Sequence, residues 1–150
     1  MGQTLTCLHY HLVFSTKNRL PQITTDLRDP LYAYLGGIIR AQRGLLLQAG
    51  GIEDHVHLLV SLPAQPSIAD LLRLIKTNSS KWVHETFPHH RAFAWQSGYG
   101  AFSVSPSNDD DVRRYIASQP EHHRQTTFQE EFLEFLRRHQ IPFDERYIWE

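Results

Sequence analysis

An α+β fold, an antiparallel sheet with helices on one face and additional helices after it, is what this sequence predicts. Three observations carry that reading: the order strand, helix, strand, strand, helix, strand; strand segments in which apolar residues alternate; and two helices each with a single apolar stripe. At 150 residues, with 41% hydrophobic and 21% charged residues, the chain is long enough to bury a proper core. Residues 1–150 carry no repeat, low-complexity tract or linker and are expected to form a single domain.

The first strand is read over residues 7–16. Leu8, Tyr10, Leu12 and Phe14 share one face, while Cys7, His9, His11 and Val13 share the other. A helix capped by Thr25 follows to about Gln42, with Leu31, Tyr34, Leu35, Ile38 and Ile39 at helical spacing and Pro30 in its first turn. Gly44 ends it. Strands at 45–49 and 55–61 then flank a turn at Ala49-Gly50-Gly51. Ser67 caps a second helix to about Phe87, whose inner face holds Ile68, Leu71, Leu72, Ile75, Ser79, Trp82 and Val83. A fourth strand covers 100–105. Ser107 or Asn108 caps a third helix whose first turn holds Asp109, Asp110 and Asp111. A last helix is placed near 126–138, before a tail with aromatic residues. The order is the ferredoxin-like (RRM-like) pattern, which leaves one sheet face open unless something covers it.

Composition excludes little but locates charge. The net charge is −1, so the chain as a whole gives no polyanion signal. Residues 1–100, however, hold nine Lys/Arg against six Asp/Glu, and residues 101–150 hold six against ten. A polyanion is expected to meet the first two thirds. No stretch is apolar enough to span a bilayer, so no membrane partner is expected. The single cysteine, Cys7, suits a reducing compartment, and a cytoplasmic location is expected.

Chemistry concentrates at D-H-V-H-L-L-V-S, residues 54–61. On a strand, residues two apart point the same way, so His55 and His57 share a face with Leu59, opposite Val56, Leu58 and Val60. The apolar side belongs on the helices, which puts the imidazoles on the open face, where both can reach one metal ion. From the tripeptide alone, two ordinary half-exposed strand histidines are the better reading. His9 and His11 lie on the same open face, and spacing does not decide which pair holds metal. On the third helix Tyr115 and Gln119 are four apart and share a face; Gln119 offers an oxygen ligand and Tyr115 a hydroxyl nucleophile.

Taken with H-L-V-F-S-T-K-N-R (11–19), G-I-E-D-H-V-H-L-L-V-S-L (51–62), S-S-K-W (79–82), W-Q-S-G-Y-G-A-F-S-V-S (95–105), R-Y-I-A-S-Q (114–119), H-H-R (122–124) and D-E-R-Y-I-W (144–149), these residues give a recognisable whole. The chain resembles the single-tyrosine, HUH-class transposases (TnpA type) of the smallest prokaryotic insertion sequences, with the REP-associated tyrosine transposases as close relatives. The resemblance implies a DNA transposase that cleaves and rejoins single-stranded DNA through a covalent 5′-phosphotyrosine. It implies Tyr115 as nucleophile, His55, His57 and Gln119 as ligands of Mg²⁺ or Mn²⁺, and DNA hairpins at the element ends as the recognised feature. It also implies a homodimer in which the tyrosine helix of one subunit meets the histidine pair of the other.

Pro120 departs from the pattern, because proline inside a helix removes a hydrogen bond and costs about 3 kcal/mol. The tyrosine helix is expected to end or kink there, which leaves His122, His123 and Arg124 unplaced. Lys17 and Arg19 after the first strand, and Arg73, Lys76 and Lys81 on the second helix, are the candidate DNA contacts. Trp95 is expected in the core, and Tyr99 is a candidate for stacking on an unpaired base. Two alternatives share the fold: a domesticated relative that binds or nicks hairpins, and a non-catalytic nucleic-acid-binding or metal-storage module.

Overall fold

The structure, a computed structural model, describes residues 2–150. Strands β1 (Leu8–Ser15), β2 (Leu45–Ile52), β3 (His55–Leu62) and β4 (Gly100–Val104) form one sheet in the order β2-β3-β1-β4, with every neighbouring pair antiparallel. Helices α1 (Thr25–Ala41) and α2 (Ile68–Thr86) cover one face. The other face is not open. Helices α3 (Asp109–Ala117), α4 (Gln119–His122) and α5 (Phe128–Arg138), with the C-terminal segment, lie over it.

Alternation along β1 and β3 divides the interior into two cores. Leu12, Phe14, Val56, Leu58 and Val60 pack against Leu27, Leu31, Leu35 and Ile39 of α1 and Leu71, Leu72, Ile75 and Val83 of α2. Val13 and Phe102 face the opposite way, onto Phe128, Phe135 and Leu136 of α5 and Trp149 of the tail. The sequence anticipates the first core; the second lies over the sheet face that it leaves open. Ser67 caps α2 by accepting from the Asp70 amide at 3.1 Å, and Thr127 with Glu130 forms a capping box on α5. Trp95 is buried, and its Nε1 donates to Ser79 Oγ at 2.9 Å.

Several boundaries differ from those the sequence suggests. β2 continues through Ile52, so the reversal falls at Glu53-Asp54 rather than at the glycines, because Gly50 and Gly51 pair with His57 and Val56. Thr24, not Thr25, stands at the start of α1, and Pro30 lies in its second turn. Asn108 precedes α3 without a side-chain cap. As Pro120 requires, α3 ends at Ala117 and the short α4 starts afresh, with the proline in its first turn.

Candidate active site

His55 and His57 are completely buried, so they are not half-exposed strand histidines. Burying an imidazole without partners is costly, and the second helical layer supplies those partners. His55 Nδ1 donates to Asp54 Oδ1 at 2.7 Å and Nε2 to Gln119 Oε1 at 2.9 Å. With both nitrogens donating, the ring carries two protons and a positive charge. Burial opposes that charge, but Asp54 and Glu131 outweigh it and raise the His55 pKa to about 9. His57 Nε2 lies 3.0 Å from Glu131 Oε1, and its Nδ1 is hydrogen-bonded to His11 Nε2 at 2.7 Å. Burial holds His57 near pKa 4 and, with the His57 charge added, His11 near 3.

Strand pairing explains why only three of the four strand histidines gather here. β1 and β3 are neighbours, and His11 reaches diagonally to His57. His9 lies further along β1, where its Nδ1 binds Asp109 Oδ2 at 2.8 Å in the first turn of α3.

Tyr115 reaches the site from α3. Three contacts seat that helix: the His9–Asp109 pair, Arg113 Nη1 donating to the Leu47 carbonyl at 2.7 Å, and close approach over Gly50. A Cβ on Gly50 would lie 2.3 Å from the Ile116 carbonyl oxygen, so only glycine admits the helix this near β2. The Tyr115 ring then sits 5.8 Å from His57 and 6.2 Å from His11. Its hydroxyl donates to Glu131 Oε2, and His122 Nε2 lies 3.4 Å away. Burial and the Glu131 carboxylate raise the Tyr115 pKa above that of a free phenol. Gln119 heads α4 instead of continuing the tyrosine helix; its Nε2 donates to Glu131 Oε2 at 2.9 Å. Within this chain, Tyr115 thus lies beside the histidine pair.

Glu131 is the residue sequence reasoning missed. It is buried, and it faces His55 at 3.4 Å, His57 at 3.0 Å, His122 at 3.3 Å and His123 at 3.2 Å. Burial alone would raise its pKa, but hydrogen bonds from His123, His55 and His57 hold it well below the usual carboxylate range. The signal was present: Phe128, Glu131, Phe132, Phe135 and Leu136 form one helical stripe, with a carboxylate at an apolar position. His55, His57, His123 and Glu131 bring one donor atom each to within 4.8 Å of one another, a buried cluster with the composition of a metal site. A cleft of about 470 Å³, lined by Tyr115, His122, Glu131, Phe135, Arg137 and Arg138, opens the phenol to solvent.

The candidate DNA contacts divide. Lys17, Arg73 and Lys81 are exposed, with Arg73 paired to Asp70 at 2.9 Å. Lys76 is half-buried: its ammonium donates to the Gln96 carbonyl at 2.8 Å, and desolvation lowers its pKa to about 8. Arg19 donates to the Trp149 carbonyl at 3.2 Å. These two cations are half-buried, each held by a main-chain carbonyl. Tyr99 is exposed beside Lys76.

Residues 4–119 match the family model described as IS200-like transposase. The chain belongs to that family. Among its relatives, the ISDra2 transposase TnpA of Deinococcus radiodurans is 30% identical over 118 residues, covering 75% of this chain and 84% of that protein. The transposase for insertion sequence element IS200 of Salmonella typhimurium is 27% identical, covering 75% and 76%. A candidate transposase of D. radiodurans with a crystal structure superposes with a TM-score of 0.63 at 26% identity, covering 79% of this chain and 96% of that one. A REP-associated tyrosine transposase bound to a REP hairpin has a TM-score of 0.60 at 16% identity, covering 82% and 74%; at that identity it speaks for the fold alone. The IS200-like match contains His55, His57, Tyr115 and Gln119 and ends before His123 and Glu131. Among the described residues no helix is long and apolar enough to cross a membrane.

Proposed function

We propose that this IS200-like transposase cuts and rejoins single-stranded DNA through Tyr115, with hairpins at the element ends as the recognised feature. The observation that carries the reading is the position of the Tyr115 hydroxyl, joined through one carboxylate to the imidazole of His57. A non-catalytic module would have no use for a phenol placed between a solvent cleft and a buried histidine cluster.

The phenolic oxygen attacks the phosphorus, and the bond to the 3′ oxygen breaks. DNA is left joined by its 5′ phosphate to Tyr115, with a free 3′ hydroxyl. Because the phosphotyrosine bond replaces the broken phosphodiester, rejoining needs no nucleotide cofactor. In the resting site the phenol stays protonated. Glu131 accepts its hydrogen bond and so orients the phenolic oxygen for attack. His122, Arg137 and Arg138 line the cleft that opens onto the phenol and are available to a phosphate bound there.

His55 and His57, with the Gln119 amide oxygen beside them, would hold a divalent ion, Mg²⁺ or Mn²⁺. The donors fit: two imidazole nitrogens and an amide oxygen are ordinary ligands, and the nitrogens favour Mn²⁺ over Mg²⁺. Bound there, such an ion withdraws charge from a non-bridging phosphate oxygen. Lys17, Arg73 and Lys81 are the exposed cations available to the DNA backbone. The family likeness also implies a homodimer in which the tyrosine helix of one subunit meets the histidine pair of the other; light scattering reads that assembly. The function is tested by incubating purified protein with hairpin-bearing single-stranded DNA and Mg²⁺ or Mn²⁺. A covalent adduct that Tyr115→Phe abolishes is expected, and an undiminished adduct in that variant rejects the assignment.

A further inference from the structure

We propose that His123 and Glu131 join His55 and His57 among the metal's ligands, and that Glu131 ties the cation to the nucleophile, one carboxylate oxygen to each. The inference rests on the reading that a cation sits at the histidine pair, and extends it to residues outside the span that matches the IS200-like family. Its first support is the orientation of the imidazoles. Each of the three has its Nδ1 held by an outer partner: His55 by Asp54 Oδ1 at 2.7 Å, His57 by His11 Nε2 at 2.7 Å, and His123 by the Thr126 carbonyl at 2.6 Å. Fixing one ring nitrogen from behind so that the other faces a common point is what metal-binding histidines require.

The common point is Glu131 Oε1, which lies 3.4, 3.0 and 3.2 Å from the Nε2 atoms of His55, His57 and His123. Around a tetrahedral ion with bonds of about 2.0–2.1 Å, donors stand about 3.3 Å apart; the three spacings to Oε1 match that value, and all four donors lie within 4.8 Å of one another. The other carboxylate oxygen faces away. Oε2 accepts from the Tyr115 hydroxyl and from Gln119 Nε2 at 2.9 Å. Gln119 therefore braces Glu131 as well as His55. Three imidazoles and one carboxylate make a mixed nitrogen–oxygen set, which takes Mn²⁺ or Zn²⁺ ahead of Mg²⁺. The carboxylate offsets one charge of the ion and keeps the phenol a single carboxylate away from it.

The test reads metal, not DNA cleavage, so its failure would leave the tyrosine chemistry standing. Mn²⁺ affinity is measured by calorimetry on the full chain, on His123→Ala and on Glu131→Gln. A loss of at least about tenfold in each variant is expected. Affinity equal to that of the unaltered protein in both variants, or no Mn²⁺ binding by the unaltered protein, overturns the proposal. Because either variant could unfold, a second measurement uses the unaltered chain alone. Zn²⁺ is titrated into protein labelled with ¹⁵N in its imidazoles. Three histidines whose Nε2 resonances move to metal-bound positions support the ligand set; two such histidines overturn it.

Discussion

His57 Nε2 lies 3.0 Å from Oε1 of Glu131, although the two residues stand on β3 and α5, at opposite ends of the half of the chain they enclose. Through that contact the second helical layer is bound to the sheet, and through the other oxygen of the same carboxylate the tyrosine joins the histidines. The carboxylate is buried among imidazoles, so removing it has consequences for stability as well as for chemistry.

Glu131→Ala should destabilise the metal-free protein by about 3–5 kcal/mol, the usual cost of leaving a buried charge without its partner. The charge left behind is the protonated His55, which keeps only Asp54 as a counter-ion. Urea unfolding followed by circular dichroism measures the loss. A change below about 1 kcal/mol would mean that the cluster contributes nothing to holding α5 in place.

Stability of the metal-free protein should peak near neutral pH, for two opposing reasons. The His55 pKa is raised, from 6.5 to about 9. Its contribution is complete below the unfolded value and is lost as pH climbs through 9; the shift corresponds to about 3 kcal/mol. His57 and His11 have lowered values of about 4 and 3. There the unfolded chain binds protons first, so stability falls as pH drops below about 6.5. Thermal melts from pH 4 to pH 10, with chelator present, should trace a maximum and not a plateau.

Gly50→Ala should dislodge the tyrosine helix. A methyl group 2.3 Å from the Ile116 carbonyl oxygen cannot be accommodated without moving α3, and overpacking of this kind costs about 1–3 kcal/mol. The nucleophile moves with the helix, whereas the ligand atoms of His55 and His57 stay on the sheet. Cleavage is expected to fall much further than Mn²⁺ affinity. Equal losses in both would show that Gly50 supports the fold generally, not the tyrosine in particular.

The sheet and its first helical layer were legible because period-2 and period-3.6 patterns fix which residues face α1 and α2. Val56, Leu58 and Val60 could face only one way, and that put His55 and His57 on the far side. What was not legible is what covers that side. α5 is strongly amphipathic, but one position of its buried stripe is Glu131, and a carboxylate there has no meaning until four imidazoles are known to meet it. Pro120 hid the same fact from another direction: it separates Gln119 from the tyrosine helix and starts a new turn that carries His123 inward. His9 illustrates the limit of alternation, which gave it the correct face but not its partner, Asp109.

The most direct test of the central claim is to locate the DNA on the protein. Hairpin-bearing single-stranded DNA is incubated with the transposase and Mn²⁺, the mixture is digested with protease and nuclease, and the nucleotide-bearing peptide is sequenced by mass spectrometry. The account predicts a 5′-phosphonucleotide on Tyr115; the same adduct on any other side chain, or strand cleavage with no peptide–nucleotide linkage, would contradict it.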